Sequence, residues 1–277
     1  TNNKNQLSWR VLGENENGEI ELIAGSPMKS NNTLGGKENP YLYLYGAKAY
    51  ENGETILDNI CELYKTKDKT GYISSARSVN QKDIDKVVGL NSIDEIKNVN
   101  LAAYQGNKNI GEEYSFPDHY TPSSWLNGKT KTLVSGKVDG YGYTVNSKMG
   151  ESAPSVTVNY RIFKMLFENT EFNFEKPTTG GRRYWLASRS VFSNSGYARF
   201  CLGAASTVGG VSRAGSCGMF DSDGDAYNNG FAVRPVVSLK SSVTSTQVQK
   251  ITDKTEDTWN VGQDSSESGG GSGQEAV

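Results

Sequence analysis

The stretch from Tyr184 to Leu239 constrains the fold more than any other part of the chain. Its ends are apolar and regular, whereas its middle carries eight glycines between Gly196 and Gly230 among small and polar residues. Tyr184, Trp185, Leu186 and Ala187 form a short apolar run that follows Gly180-Gly181, which fits a buried strand too short for a helix. From Phe231 the chain alternates, placing Phe231, Val233, Pro235, Val237 and Leu239 on one face; Pro235 has no N–H for a ladder, so a bulge or a free edge is expected there. Tyr197 to Leu202 alternates as well, with Ala198, Phe200 and Leu202 on one side and Tyr197, Arg199 and Cys201 on the other, the side expected to face a partner. Regular ends around an irregular middle describe a scaffold that displays loops between Ser188 and Gly230.

The rest of the chain supplies the elements for such a scaffold. Ser8 to Leu12 and Glu19 to Ala24 read as a hairpin reversed at Asn17-Gly18, a pair that tolerates positive φ. Tyr41 to Tyr45 alternates tyrosine with leucine and fits either a strand or an exposed loop. Between Glu54 and Thr66, Ile56, Ile60, Leu63 and Tyr64 recur at helical spacing with Leu57 and Cys61 beside them. A second helix is expected after Asn80, a capping residue with Asp83 three positions on, ending near Gly89. A third follows Asn159, with Ile162, Phe163, Leu166 and Phe167 on one face. Residues 101–157 read as a loop-rich insertion, with strand-like runs at Lys131 to Val134 and Tyr141 to Val145. Residues 1–262 are thus expected to form one domain, followed by a Gly/Ser-rich tail over 263–277 in which no packed element is expected.

Charge and composition narrow the function. With 29 basic and 31 acidic residues the net charge is -2, and no basic run could track a phosphate backbone, so nucleic acid is not an expected partner. No stretch approaches the roughly 20 apolar residues that span a bilayer, so no membrane insertion is expected. Fifteen tyrosines and 31 glycines, with many Asn and Ser, match the residue types favoured in binding loops. His119 is the sole histidine, which excludes paired-histidine metal sites, and no Gly-x-Ser-x-Gly turn accompanies it. Asp221-Ser222-Asp223-Gly224-Asp225 concentrates oxygen ligands, but Ala226 and Ala232 stand where an EF-hand needs Gly and Glu, so these aspartates read as turn residues and no metal or cofactor is expected. Gly13 to Gly18 and Gly203 to Gly210 lack phosphate-cradling spacing and read as turns. Cys61 is read as a core residue; Cys201 and Cys217 either pair across the displayed surface or remain free thiols.

The Tyr-Trp-Leu-Ala-Ser run from Tyr184, followed by Gly230-Phe231-Ala232-Val233-Arg234-Pro235-Val236-Val237, resembles the C-terminal part of bacterial and phage proteins with the C-type-lectin fold. That group includes the formylglycine-generating-enzyme-like proteins and the variable proteins of diversity-generating retroelements. Trp9-Arg10-Val11-Leu12 and Ala76-Arg77-Ser78 are similar to the N-terminal half of related surface proteins from Gram-positive bacteria and their phages. The resemblance implies an α+β fold in which the Trp185 strand and the Val-Arg-Pro-Val strand lie in the sheet and the segment between them binds ligand. It implies an extracellular protein, on a virion or a bacterial surface, that binds a protein or glycan on a host or target cell without catalysis. Asn194, Tyr197, Arg199, Ser206, Arg213, Asp221, Asp223, Tyr227 and Asn228 are then the expected ligand-binding positions, and changing Tyr197 and Arg199 to Ala is expected to leave stability nearly untouched. Several such variable proteins end at this segment, whereas here the chain runs on past Leu239. A virion structural component or pilin-like subunit, a homo-oligomer by nature, is the competing expectation. A cysteine-pair oxidase is the weaker one, because the residues around Cys201 and Cys217 do not reproduce the motif of the formylglycine-generating enzymes.

Overall fold

The computed structural model describes residues 9–25, 27–28, 41–66, 68–89, 113–114, 136–137, 144–145, 157–168, 182–193, 198–208, 211–221 and 226–252. In chain order the main elements are β1 (Trp9–Glu14), β2 (Ile20–Ala24), β3 (Tyr41–Tyr45), α1 (Gly46–Cys61), α2 (Leu63–Thr66), β4 (Ile73–Ser78) and α3 (Gln81–Asp85). Three two-residue strands follow, β5 (Glu113–Tyr114), β6 (Gly136–Lys137) and β7 (Thr144–Val145). The C-terminal half comprises α4 (Tyr160–Phe163) continued by a π-helical turn (Lys164–Glu168), then β8 (Arg182–Ser193), β9 (Ala198–Val208), β10 (Val211–Asp221), β11 (Asn228–Ala232), β12 (Pro235–Leu239) and α5 (Ser245–Thr252). This is an α+β arrangement dominated by strands.

Two sheets organise it. The first has the antiparallel order β1-β2-β12-β4, and the second the order β3-β11-β8-β9-β10-β7. Local chemistry accounts for the hairpin β1-β2: Gly18 takes a φ of 73°, and the Asn15 side chain accepts the N–H groups of Asn17 and Glu19. In the second sheet β8, β9 and β10 form a long antiparallel meander. The ribbon β3-β11 meets β8 in parallel at Ala232↔Tyr184, and just ahead of β11 the N–H of Tyr227 donates to the Met219 carbonyl of β10. The ribbon therefore crosses from one side of the meander to the other and curls the sheet.

Each sheet separates two apolar clusters, so its central strands are buried on both sides. On one side Trp185, Phe200, Leu202, Phe220, Phe231 and Val237 pack against Tyr50 and Leu57 of α1. Phe200 and Phe220 stack at 4.6 Å, and Tyr50 meets both edge-on. On the other side Tyr184, Leu186, Ala205, Ala214, Ala232 and Val236 pack with Ile84, Phe163 and Leu166. Every residue from Phe231 to Leu239 is buried.

The Val-Arg-Pro-Val segment departs from the single alternating strand read in the sequence. It is where the chain leaves one sheet for the other: β11 ends at Ala232, Val233 and Arg234 cross, and Pro235 opens β12, an interior strand between β2 and β4. Proline is tolerated because it stands at the first strand position rather than at a free edge. Arg234, fully buried, donates to the carbonyls of Ala24, Leu166 and Met165. Its guanidinium satisfies oxygens at the π-helical turn that the wider winding would leave exposed in the core. Tyr184 stacks under it and donates to Leu166, and burial pushes the phenol up to about 12, against the lowering influence of Arg234.

Other expectations meet the structure unevenly. Asn80 caps α3 in a reciprocal capping box with Asp83, and Asn159 caps α4 through the N–H of Ile162. The first helix begins at Gly46, eight residues before the expected start, and Tyr41 to Tyr45 is a strand. The glycine-rich middle, expected as loops, is largely strand: β8 runs on into it as far as Ser193, and β9 and β10 occupy 11 residues each. The short strands β5, β6 and β7 lie within the expected insertion. The run Lys131 to Val134, His119, Ser222 to Asp225, Trp259 and the tail over 263–277 lie outside the described residues.

Candidate ligand-binding surface

Arg199 and Asp221 are direct register partners at one end of the β9–β10 ladder. Arg199 Nε lies 2.7 Å from Asp221 Oδ1 and Nη2 lies 2.8 Å from Oδ2, a fork-to-fork pair. Tyr227 completes the cluster: its hydroxyl donates to Asp221 Oδ2 at 2.7 Å, and its ring centroid lies 5.3 Å from the guanidinium carbon. Asp221 is 2% exposed, whereas the Arg199 side chain is 38% exposed, so a buried carboxylate fixes a partly exposed cation. Gly218 makes the geometry reachable, because a Cβ there would stand 2.9 Å from Arg199 Cδ.

Beside this cluster runs the ribbon β3-β11. Tyr45 pairs in register with Asn228 and Tyr43 with Gly230, while Leu44 and Phe231 turn inward to the α1 side. Tyr43 and Tyr45 are each 57% exposed, and Asn228 is exposed. The Tyr43 ring lies so close over Gly230 that a Cβ at that glycine would stand 2.5 Å from its Cε1. The Asn229 side chain donates to the Gly218 carbonyl, tying the ribbon to β10.

The nine expected positions therefore divide. Arg199, Asp221 and Tyr227 converge, and Asn228 adjoins them. Ser206 and Arg213 are partners of one another on the β9–β10 ladder, but Ser206 is seven residues from Arg199 along an alternating strand and faces the opposite side of the sheet. Asn194, Tyr197 and Asp223 lie outside the described residues. The face shared by Arg199 and Cys201 is not the open face expected, since Cys201 is fully buried and Arg199 is held by Asp221. Sequence reasoning passed over Tyr43 and Tyr45; the signal was their alternation with Leu42 and Leu44.

Cys201 pairs in register with Gly218 and Cys217 with Leu202, so the two thiols occupy opposite faces and do not form a disulfide with one another. Burial pushes the Cys217 thiol up to about 11, against the lowering influence of Arg183 and Arg199, which disfavours the nucleophilic thiolate at neutral pH. Asp221 is engaged by Arg199, and among the described residues no group of three His, Cys, Asp or Glu side chains is gathered to hold a metal ion. Among them, too, no helix is long and apolar enough to cross a membrane.

No protein family, curated protein or solved structure matches this chain. Its function has to be argued from this geometry.

Proposed function

We propose that this chain is a non-enzymatic binding protein of the C-type-lectin type, displayed on a virion or bacterial surface, which recognises a protein or glycan on another cell through the surface where the ribbon β3-β11 adjoins the C-terminal strands β9 and β10. The observation that carries the reading is the exposed pair Tyr43 and Tyr45 with Asn228, mounted on a ribbon that the Arg199–Asp221–Tyr227 cluster, centred on the buried Asp221, ties to β9 and β10. Tyrosine offers large contact area with few rotatable bonds, and a preorganised support lowers the entropic cost of association. The fold part of the reading draws support from topology: the N-terminal hairpin and β12 share one sheet, and the long β8–β10 meander lies in a second sheet that the chain leaves at Arg234 to enter the first.

The test is binding of fluorescent full-length protein to intact Gram-positive cells and to a glycan array. Wild type is expected to bind at least one of them. Changing Tyr43 and Tyr45 together to Ala is expected to weaken binding tenfold or more with an unchanged melting temperature, since each ~1.4 kcal/mol is a factor of ten. Binding to neither, or equal binding by the double variant, overturns the proposal.

A further inference from the structure

On the α1 side of the second sheet, away from Tyr43 and Arg199, the register sets three residues in a row across adjacent strands: Arg183 of β8 opposite Ser206 of β9, and Ser206 opposite Arg213 of β10. Direct partners share a face, so a serine stands between two arginine positions about 10 Å apart, two strand spacings. Arg183 lies with its guanidinium carbon 5.5 Å from the Phe231 ring centroid, and the ring itself packs on Trp185 at 4.5 Å. Among the described residues the Nε of Arg183 is buried and has no hydrogen-bond partner. A desolvated guanidinium nitrogen without an acceptor is costly in a folded protein, and an anionic oxygen is what would relieve it. Next along the same face of β10, a Cβ built at Gly215 meets no heavy atom of the described residues within 4 Å.

We infer that this end of the sheet is a pocket for a carboxylate, with Arg183 presenting its fork over the Phe231 ring, Ser206 of the neighbouring strand supplying a hydroxyl and Gly215 leaving room for the rest of the ligand. A planar carboxylate suits an arginine fork, which two parallel N–H groups address in register. Small acidic sugars and free amino acids carry the same group, and the pocket reads the group they share. The inference rests on the ligand-binding reading of the chain but concerns the face opposite Tyr43 and Tyr45.

Titration calorimetry on the full chain, with sodium glucuronate, glutamate, acetate and glucose as probes, tests it. Glucuronate or glutamate is expected to bind, glucose is not, and whichever acid binds more tightly identifies the source of the carboxylate. Arg183→Gln is expected to weaken that binding at least tenfold while the circular dichroism spectrum stays that of wild type, and Arg183→Lys is expected to recover only part of it. Should Arg183→Gln not fold, Ser206→Ala is expected to show the loss, by several-fold. The inference fails if wild type binds none of the three carboxylates, if glucose binds as well as glucuronate, or if the variants bind like wild type. Cell or glycan binding through Tyr43 and Tyr45 in a protein that ignores all three carboxylates would remove this pocket alone; loss of both would remove the wider reading as well.

Discussion

Arg199 shows how one side chain changes meaning with its partners. Its sequence neighbours make it an outward interface residue, replaceable without loss of stability. In the folded chain it neutralises a carboxylate that is 2% exposed, and removing it leaves Asp221 with the Tyr227 hydroxyl but without its countercharge. Truncating one member of a buried ion pair is far costlier than truncating an exposed one, and the partial exposure of Arg199 moderates the figure. Arg199→Ala is therefore expected to destabilise the protein by about 2 kcal/mol in urea unfolding, and Arg199→Ala combined with Asp221→Asn by less than the sum of the two single changes. Unaltered stability in Arg199→Ala would return this residue to the free surface. The two tyrosines ask for the opposite pattern, with binding lost and stability kept.

At the scale of elements, α1 against β9 offers a contest between two known effects. Gly53 lies within α1, where glycine is ordinarily a liability, and replacing it by alanine in an open helix gains up to about 1 kcal/mol. Here the added Cβ would stand 2.9 Å from Leu202 Cδ2 and 3.0 Å from Cδ1, in the fully buried layer between helix and sheet. Overpacking of this kind costs roughly 1–3 kcal/mol, so it outweighs the propensity gain. Gly53→Ala is expected to lower the stability by about 1 kcal/mol, and Gly53→Ala with Leu202→Ala to recover part of what either change loses alone. A more stable Gly53→Ala variant would show that α1 can withdraw from the sheet. The same close approach explains why the helix was legible only from Glu54 onward: Gly46, Asn52 and Gly53 are weak helix formers, and Ala49 and Tyr50 count as a buried face only once the sheet lies opposite.

For the molecule as a whole, the first sheet is joined to the helix that covers the second cluster by a charged cluster. Arg77 of β4 donates to both oxygens of Asp83 on α3, at 2.7 and 2.8 Å, and to Glu21 of β2, which also accepts Lys86. Burial pushes the Asp83 carboxyl up, but the Arg77 hydrogen bonds and charge, the Asn80 N–H and Lys86 outweigh it and hold the carboxyl below the usual carboxylate range. A depressed folded pKa contributes stability above the unfolded value of about 3.9, and that contribution is lost as pH falls through the folded value. The melting temperature of wild type is expected to drop between pH 4 and pH 2, and Asp83→Asn to melt lower at pH 7 with a shallower acid slope; parallel slopes would assign the acid sensitivity elsewhere. What the sequence alone determined about this protein is what short-range chemistry decides. The reversal at Asn17-Gly18 depends on one φ, the caps at Asn80 and Asn159 on a side chain and an N–H three residues on, and the burial of Trp185 on a local apolar run. The tertiary structure decided the rest: the extension of β9 and β10 through a glycine-rich stretch, the crossing between sheets at Arg234, the separation of Cys201 from Cys217, and the placement of Arg199 and Ser206 on opposite faces. Ladder pairing and the choice of face in a sheet buried on both sides are set by partners remote in sequence, and when both faces are apolar the alternation that marks a half-exposed strand is erased.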